Sequence, residues 1–319
     1  MKKSVWLPEY NVWFFALYGT AVGAGTLFLP IQLGLSGALA MLILLIIAYP
    51  FTYYPHLILA RYVISSSSES PTLLSATEEY YGSKVAKVVN TLYAVAFLPI
   101  IFVYAITITN SVEVLLSSQF GIATPPRLIS AFAVVFVLHL IFILGKKTTL
   151  RVMGMLVLPL IVYFITVAFS LIQNWDIPQI KQSFGAITLD LEAVKSIWFM
   201  LPVMVFAFSH TPIISTFANH CKLKYRDDAE DHIKQIMKIS YILICVSILF
   251  FVFSCIFTLT PQELLQTKAE NTTILTTIGH KAAMPWIALS ATTVAIIAMT
   301  KTFLGTYFGA LEGVIGIVT

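Results

Sequence analysis

Three short stretches of this 319-residue chain hold the residue types that could do chemistry. Gly19, Gly23 and Gly25 lie close together in an apolar run that reaches Pro30. Ser209-His210-Thr211-Pro212 interrupts a second apolar run, and Lys301 followed by Thr302 closes a third. Glycine costs a helix ~1 kcal/mol against alanine and admits angles that other residues resist. Pro212 lacks a backbone donor, clashes with the carbonyl four residues back at Phe208, and pushes the residue before it out of the helical region. Either device leaves peptide groups without helical partners. Free amides at the start of a half-helix attract a carboxylate, and freed carbonyls attract an ammonium or a cation. The two together could grip a zwitterion.

The elements that must position these residues are membrane helices. Apolar and aromatic residues make up 58% of the chain and charged residues 11%, against ~25% charged in a soluble domain. Three cysteines exclude a disulfide scaffold, and the apolar content excludes a disordered chain. No Asp, Glu, Lys or Arg occurs over 10–60, 88–112, 128–145, 152–175, 196–221, 239–262 or 282–300. A spanning helix needs ~20 apolar residues, so the first gap holds two, with a turn near Pro30–Gly37, and the others one each. The expectation is an all-α integral membrane protein with about eight spans. Met41–Ala48 is unbroken hydrocarbon, without the alternation of a barrel strand. With the N-terminus in the cytoplasm, thirteen Lys and Arg, Lys2 and Lys3 among them, fall inside and five outside, the sense that the positive-inside rule favours. The inner loops Arg61–Lys87 and His220–Lys238 are expected to carry short interfacial helices. Asn271-Thr272-Thr273 is a formal glycosylation sequon, without meaning in a bacterial protein.

The breaks fall in spans one and six. Five spans separate them, an odd number, so the second group of five enters the membrane upside down. That is the 5+5 inverted-repeat transporter plan, with substrate held at mid-membrane beside paired broken helices. The chain reads as one transmembrane domain over 1–319, with a first five-helix repeat at 11–172 and an incomplete, three-helix second repeat at 194–319. Gly23, Ala24, Gly25 and Thr26 then face the substrate carboxylate, against a bland reading as a close-packed helix face. Ser209, His210 and Thr211 face the ammonium and side chain. His210 titrates near neutrality and suits a proton relay; the competing reading is a neutral ring that shapes the break. Lys301 and Thr302 are candidates for ion or proton coupling, against simple snorkelling of the lysine. Tyr104, Thr107 and Asn110 step along one face of span three and either line the cavity or bond between helices. His56 and His139 read as structural or interfacial.

The same segments resemble a known family. Gly19–Pro30 (GTAVGAGTLFLP), Ala48–Arg61 (AYPFTYYPHLILAR), Tyr104–Asn110 (YAITITN), Phe208–Phe217 (FSHTPIISTF) and Lys301–Gly313 (KTFLGTYFGALEG) occur in the order found in hydroxy and aromatic amino-acid permeases. These belong to the amino acid–polyamine–organocation superfamily, and the chain looks closest to the serine/threonine branch. That branch has Asn and Ser on either side of this histidine, where Ser209 and Thr211 stand here. The resemblance implies proton symport of a small neutral amino acid into the cell across a bacterial inner membrane, with sodium the less favoured ion. In related folds a cation site lies between helices one and eight, and the Lys301 ammonium is expected to take its place. The resemblance also implies eleven spans, so a C-terminally truncated, transport-inactive remnant or partner subunit is the alternative expectation.

Other classes lack their motifs. H-E-x-x-H, G-x-S-x-G and the phosphate-binding G-x-x-x-x-G-K-[ST] are all missing from the sequence, so an enzyme, a metal site, a cofactor or nucleotide-driven transport is not expected. The net charge of +4 follows from the inner-loop lysines rather than a nucleic-acid surface.

Overall fold

A computed structural model describes residues 7–185, 187–270 and 273–318. Lys2, Lys3, Asn271 and Thr272 lie outside the described residues. Within them the chain is helical: α1 (Tyr10–Ala21), α2 (Ala24–Leu35), α3 (Gly37–Ser65), α4 (Leu73–Val114), α5 (Arg127–Ile143), α6 (Lys146–Leu171), α7 (Ile177–Gly185), α8 (Leu191–Phe208), α9 (Thr211–Tyr225), α10 (Ala229–Thr258), α11 (Pro261–Ala269), α12 (Ile274–Lys281) and α13 (Pro285–Val318). No strand occurs among the described residues. Six helical stretches are long and apolar enough to cross a membrane, and the pair α1–α2, bent by 47°, makes a seventh. The expectation of eight differs at one place: the α5 helix has 17 residues, short of the usual length. The span containing Ser209 is divided between α8 and α9.

Apolar side chains on α4, α5 and α8 face outward: Phe102 is 68% exposed, Leu128 82% and Phe199 75%. Patches of that kind require hydrocarbon around them rather than water. The α3 helix starts at Gly37, whose φ of +84° makes the turn after α2, so Pro30 lies inside α2 rather than at the turn. Of the two loops expected to carry short helices, 61–87 does and 220–238 does not. Leu73–Val114 bends at Gly82 (φ +80°), which sets its first turns apart, whereas 220–238 has no separate helix: α9 runs to Tyr225 and α10 starts at Ala229 after a short turn.

The α13 helix is the axle of the core. Its glycines let neighbouring backbones approach: Gly305 meets Thr20 of α1, Gly309 meets Pro212 of α9, and Gly313 meets Ala94 of α4. Near its end, a Glu312 carboxylate oxygen accepts from the Leu73 amide (2.9 Å) and the Ser215 hydroxyl (2.8 Å), tying α4 and α9 to it. A methyl group at Gly309 would stand 2.8 Å from the Pro212 Cα, a backbone atom with nowhere to move. Gly309→Ala is therefore expected to destabilise the detergent-solubilised protein by about 1–3 kcal/mol. Gly185→Ala, at a site with open space, is expected to stay within about 0.5 kcal/mol of the parent. Thermal unfolding curves of the two variants check this.

Candidate functional site

The first break follows the glycines. The α1 helix ends at Ala21, Val22 turns extended (ψ 93°), and Gly23 (φ −143°, ψ −141°) caps α2. The first three residues of α2 are Ala24, Gly25 and Thr26. The Thr26 amide folds back to the Gly23 carbonyl at 3.1 Å. The Thr26 hydroxyl is buried and has no partner among the described residues. A buried hydroxyl without a hydrogen bond costs about 1–3 kcal/mol. Gly23 abuts the Thr302 side chain, and a methyl group at Gly25 would stand 2.6 Å from the Ala207 Cα. The second of these contacts joins the two breaks, because Ala207 is two residues before Ser209.

The second break lies at Ser209 (ψ 136°) and His210 (φ −135°), one residue earlier than the proline alone dictates. Pro212 enters the first turn of α9 and gives the Phe208 carbonyl no helical donor. His210 fills that vacancy, its Nδ1 bonding the Phe208 carbonyl at 3.1 Å. Among the described residues the buried His210 Nε2 has no hydrogen-bond partner, nor has the buried Tyr241 hydroxyl of α10. The His210 and Tyr241 rings meet edge to face with centroids 4.3 Å apart. Ser209 and Thr211 share a hydroxyl–hydroxyl bond of 3.0 Å.

Lys301 does not snorkel. It is fully buried, and its Nζ donates to the Gly19 carbonyl at 2.9 Å. The Thr302 hydroxyl bonds the Ala298 carbonyl (2.9 Å) and reaches the same Gly19 oxygen at 3.4 Å. One carbonyl at the end of α1 thus meets the lysine and threonine of α13. Among the described residues this is the one hydrogen bond of an ammonium that has three protons to donate.

Tyr104 and Thr107 line a cavity of about 250 Å³ with Phe28, Val103, Phe206 and Met299. Phe28 lies a little more than one turn beyond the first break, and Phe206 just before the second. The Thr107 hydroxyl bonds the Val103 carbonyl of its own helix, whereas Asn110 is exposed away from the cavity. His139 is exposed on α5.

His56, read from sequence as structural or interfacial, lies at the second break. It is 6% exposed and stacks on His210 with ring centroids 4.1 Å apart and planes 9° apart. Its Nε2 lies 3.2 Å from the His210 amide and 3.1 Å from the Thr211 hydroxyl. The available signal was a histidine directly after Pro55 in a charge-free span, within a segment that carried the family resemblance.

Comparison with known proteins agrees with this architecture. The profile of the tryptophan/tyrosine permease family matches residues 12–318. The inner membrane transport protein YqeG of Escherichia coli strain K12 is 44% identical over 320 residues, covering 99% of this chain and 77% of that protein. The serine transporter SdaC of the same strain is 36% identical over 322 residues, covering 99% and 74%. A serine transporter SdaC of Shigella flexneri is also 36% identical.

The orphaned hydroxyl at the first break gives a clean test. Thr26→Val keeps the shape and removes the unpartnered group. It is expected to leave stability unchanged or raise it by up to about 1 kcal/mol. Substrate affinity is expected to weaken at least about fivefold, close to 1 kcal/mol. Thermal unfolding and equilibrium binding of labelled amino acid, measured on one preparation, read both effects.

Proposed function

We propose the cargo and its driving force from one premise: the chain belongs to the tryptophan/tyrosine permease family. It is a multi-pass amino-acid transporter of the inner membrane, not an enzyme. The reading is import of a small neutral amino acid of the serine or threonine kind, driven by proton symport, with the N-terminus in the cytoplasm. Residues 11–172 and 194–319 are read as two inverted repeats, broken in their first helices.

One observation carries the proposal. Two helix breaks adjoin through Gly25 and Ala207, and the carbonyl at the end of α1 holds a buried lysine ammonium. Ala24, Gly25 and Thr26 sit at a half-helix N-terminus, where the dipole favours a carboxylate. The carbonyls beside Ser209 and His210 favour the ammonium, and the Ser209–Thr211 hydroxyl pair matches a hydroxylated side chain. Tyr104 and Thr107 line a cavity of about 250 Å³ with Phe28 and Phe206, a residue from beside each break. The serine transporters at 36% identity support the same class of cargo.

Lys301 and Thr302 supply the coupling in this reading. A charged Lys301 holds the Gly19 carbonyl and so fixes the end of α1 against α13. Loss of one proton leaves a neutral amine that binds the carbonyl weakly and lets α1 move. Proton transit and helix motion are then one event. His210, whose Nε2 lone pair is free, is the group through which the proton reaches or leaves the site.

Labelled serine uptake into proteoliposomes tests this. Accumulation is expected to vanish with a protonophore and to persist without sodium. Lys301→Ala is expected to abolish accumulation against a gradient while keeping at least about a tenth of wild-type exchange of internal for external serine. Sodium-dependent uptake that survives the protonophore contradicts the coupling. His210→Ala that still accumulates serine at the wild-type level removes His210 from the relay.

A further inference from the structure

His56 has no part in the reading above, yet it holds the second break together. Its Nδ1 lies 2.6 Å from the Thr52 carbonyl, which can only accept, so Nδ1 carries the proton. The Nε2 is then a lone pair. It faces the His210 amide at 3.2 Å and the Thr211 hydroxyl at 3.1 Å, and both donate to it. In a continuous helix the His210 amide would donate to the carbonyl of Phe206, four residues back. The imidazole of α3 has taken that donor away. Pro212 and the His210 Nδ1 account for the Phe208 carbonyl; His56 accounts for the amide side of the same break.

We propose that His56 is a positioning residue whose neutral ring keeps the α8–α9 break open by accepting the His210 amide and the Thr211 hydroxyl, and that protonation of its Nε2 releases them. The inference rests on the transporter reading for its purpose but not for its chemistry. A proton on Nε2 turns the acceptor into a donor pointed at an amide N–H. The Thr211 hydroxyl can rotate to offer a lone pair; the amide cannot. It must find another acceptor, and the Phe206 carbonyl is the one a helix supplies.

The surroundings leave the ring's charge to this switch alone. His210 and Tyr241 are the rings packed on His56, with Tyr241 5.7 Å away by centroid, and Tyr53 of α3 touches Tyr241 in turn. The α2 helix carries no titratable side chain. On α4, Glu79 and Tyr80 bond Ser66, Ser67 and Ser65 at the far end of α3. On α10, Glu230 pairs with Arg61 and Lys234, and on α7, Lys181 is exposed. Among the described residues no charged side chain bonds the His56 ring.

The test uses the full chain in lipid nanodiscs, labelled with nitrogen-15 at histidine. Long-range nitrogen–proton spectra are expected to place the His56 proton on Nδ1 at neutral pH. The His210 amide resonance is expected to shift in His56→Leu and to return toward wild type in His56→Gln, whose side-chain carbonyl can reach the Nε2 position without titrating. It is also expected to move with acid in the wild type and to stay put in His56→Gln. A proton on Nε2 at neutral pH, or a His210 amide indifferent to His56→Leu, overturns the proposal. So does an acid shift that persists in His56→Gln. In the same samples, labelled serine is expected to bind His56→Leu at least tenfold more weakly than the wild type and His56→Gln within threefold of it. Failure of the wild type to bind serine overturns the cargo assignment, while the resonances still decide the role of His56.

Discussion

Hydrocarbon offers no hydrogen bonds, so every peptide group inside a membrane must find a partner within the protein. A continuous helix meets that demand automatically; an interrupted one has to meet it residue by residue. The two breaks here do so in different ways. At the second, side chains stand in for the helix: the His210 imidazole takes the Phe208 carbonyl and the His56 imidazole takes the His210 amide. At the first, Lys301 and Thr302 serve the Gly19 carbonyl, and the Thr26 hydroxyl has been left without a partner.

The breaks are mechanically joined. The α13 helix touches α1 at Thr20, the cap of α2 at Gly23 and the start of α9 at Pro212, in each case through a glycine that removes the side chain between them. It also carries Lys301 against the end of α1 and Glu312 against Ser215 of α9. A shift of either half-helix must therefore pass through the helix that holds the lysine.

Much of this was legible in the residues. The absence of charge over long runs gave away the membrane helices, because burying a charge in lipid is costly. The glycine cluster and Pro212 marked both breaks, whereas the charge-free run before Lys301 left burial and snorkelling both open. The break expected over Ser209, His210 and Thr211 lies at Ser209 and His210. Two things were not legible. The segment 220–238 carries no separate helix: α9 and α10 run into it and meet at a short turn where Arg226 takes a positive φ that local pattern does not announce. The role of His56 was hidden because a lone histidine in an apolar span has several bland explanations, and its partners lie more than 150 residues away.

The central claim is that two adjoining helix breaks hold a zwitterion by its ends. A structure determined by electron cryomicroscopy with serine bound tests it most directly. The account expects the carboxylate within hydrogen-bonding reach of the Ala24–Thr26 segment and the ammonium facing the carbonyls beside Ser209 and His210. Serine density elsewhere in the protein, or a helix that runs unbroken through either site, contradicts it.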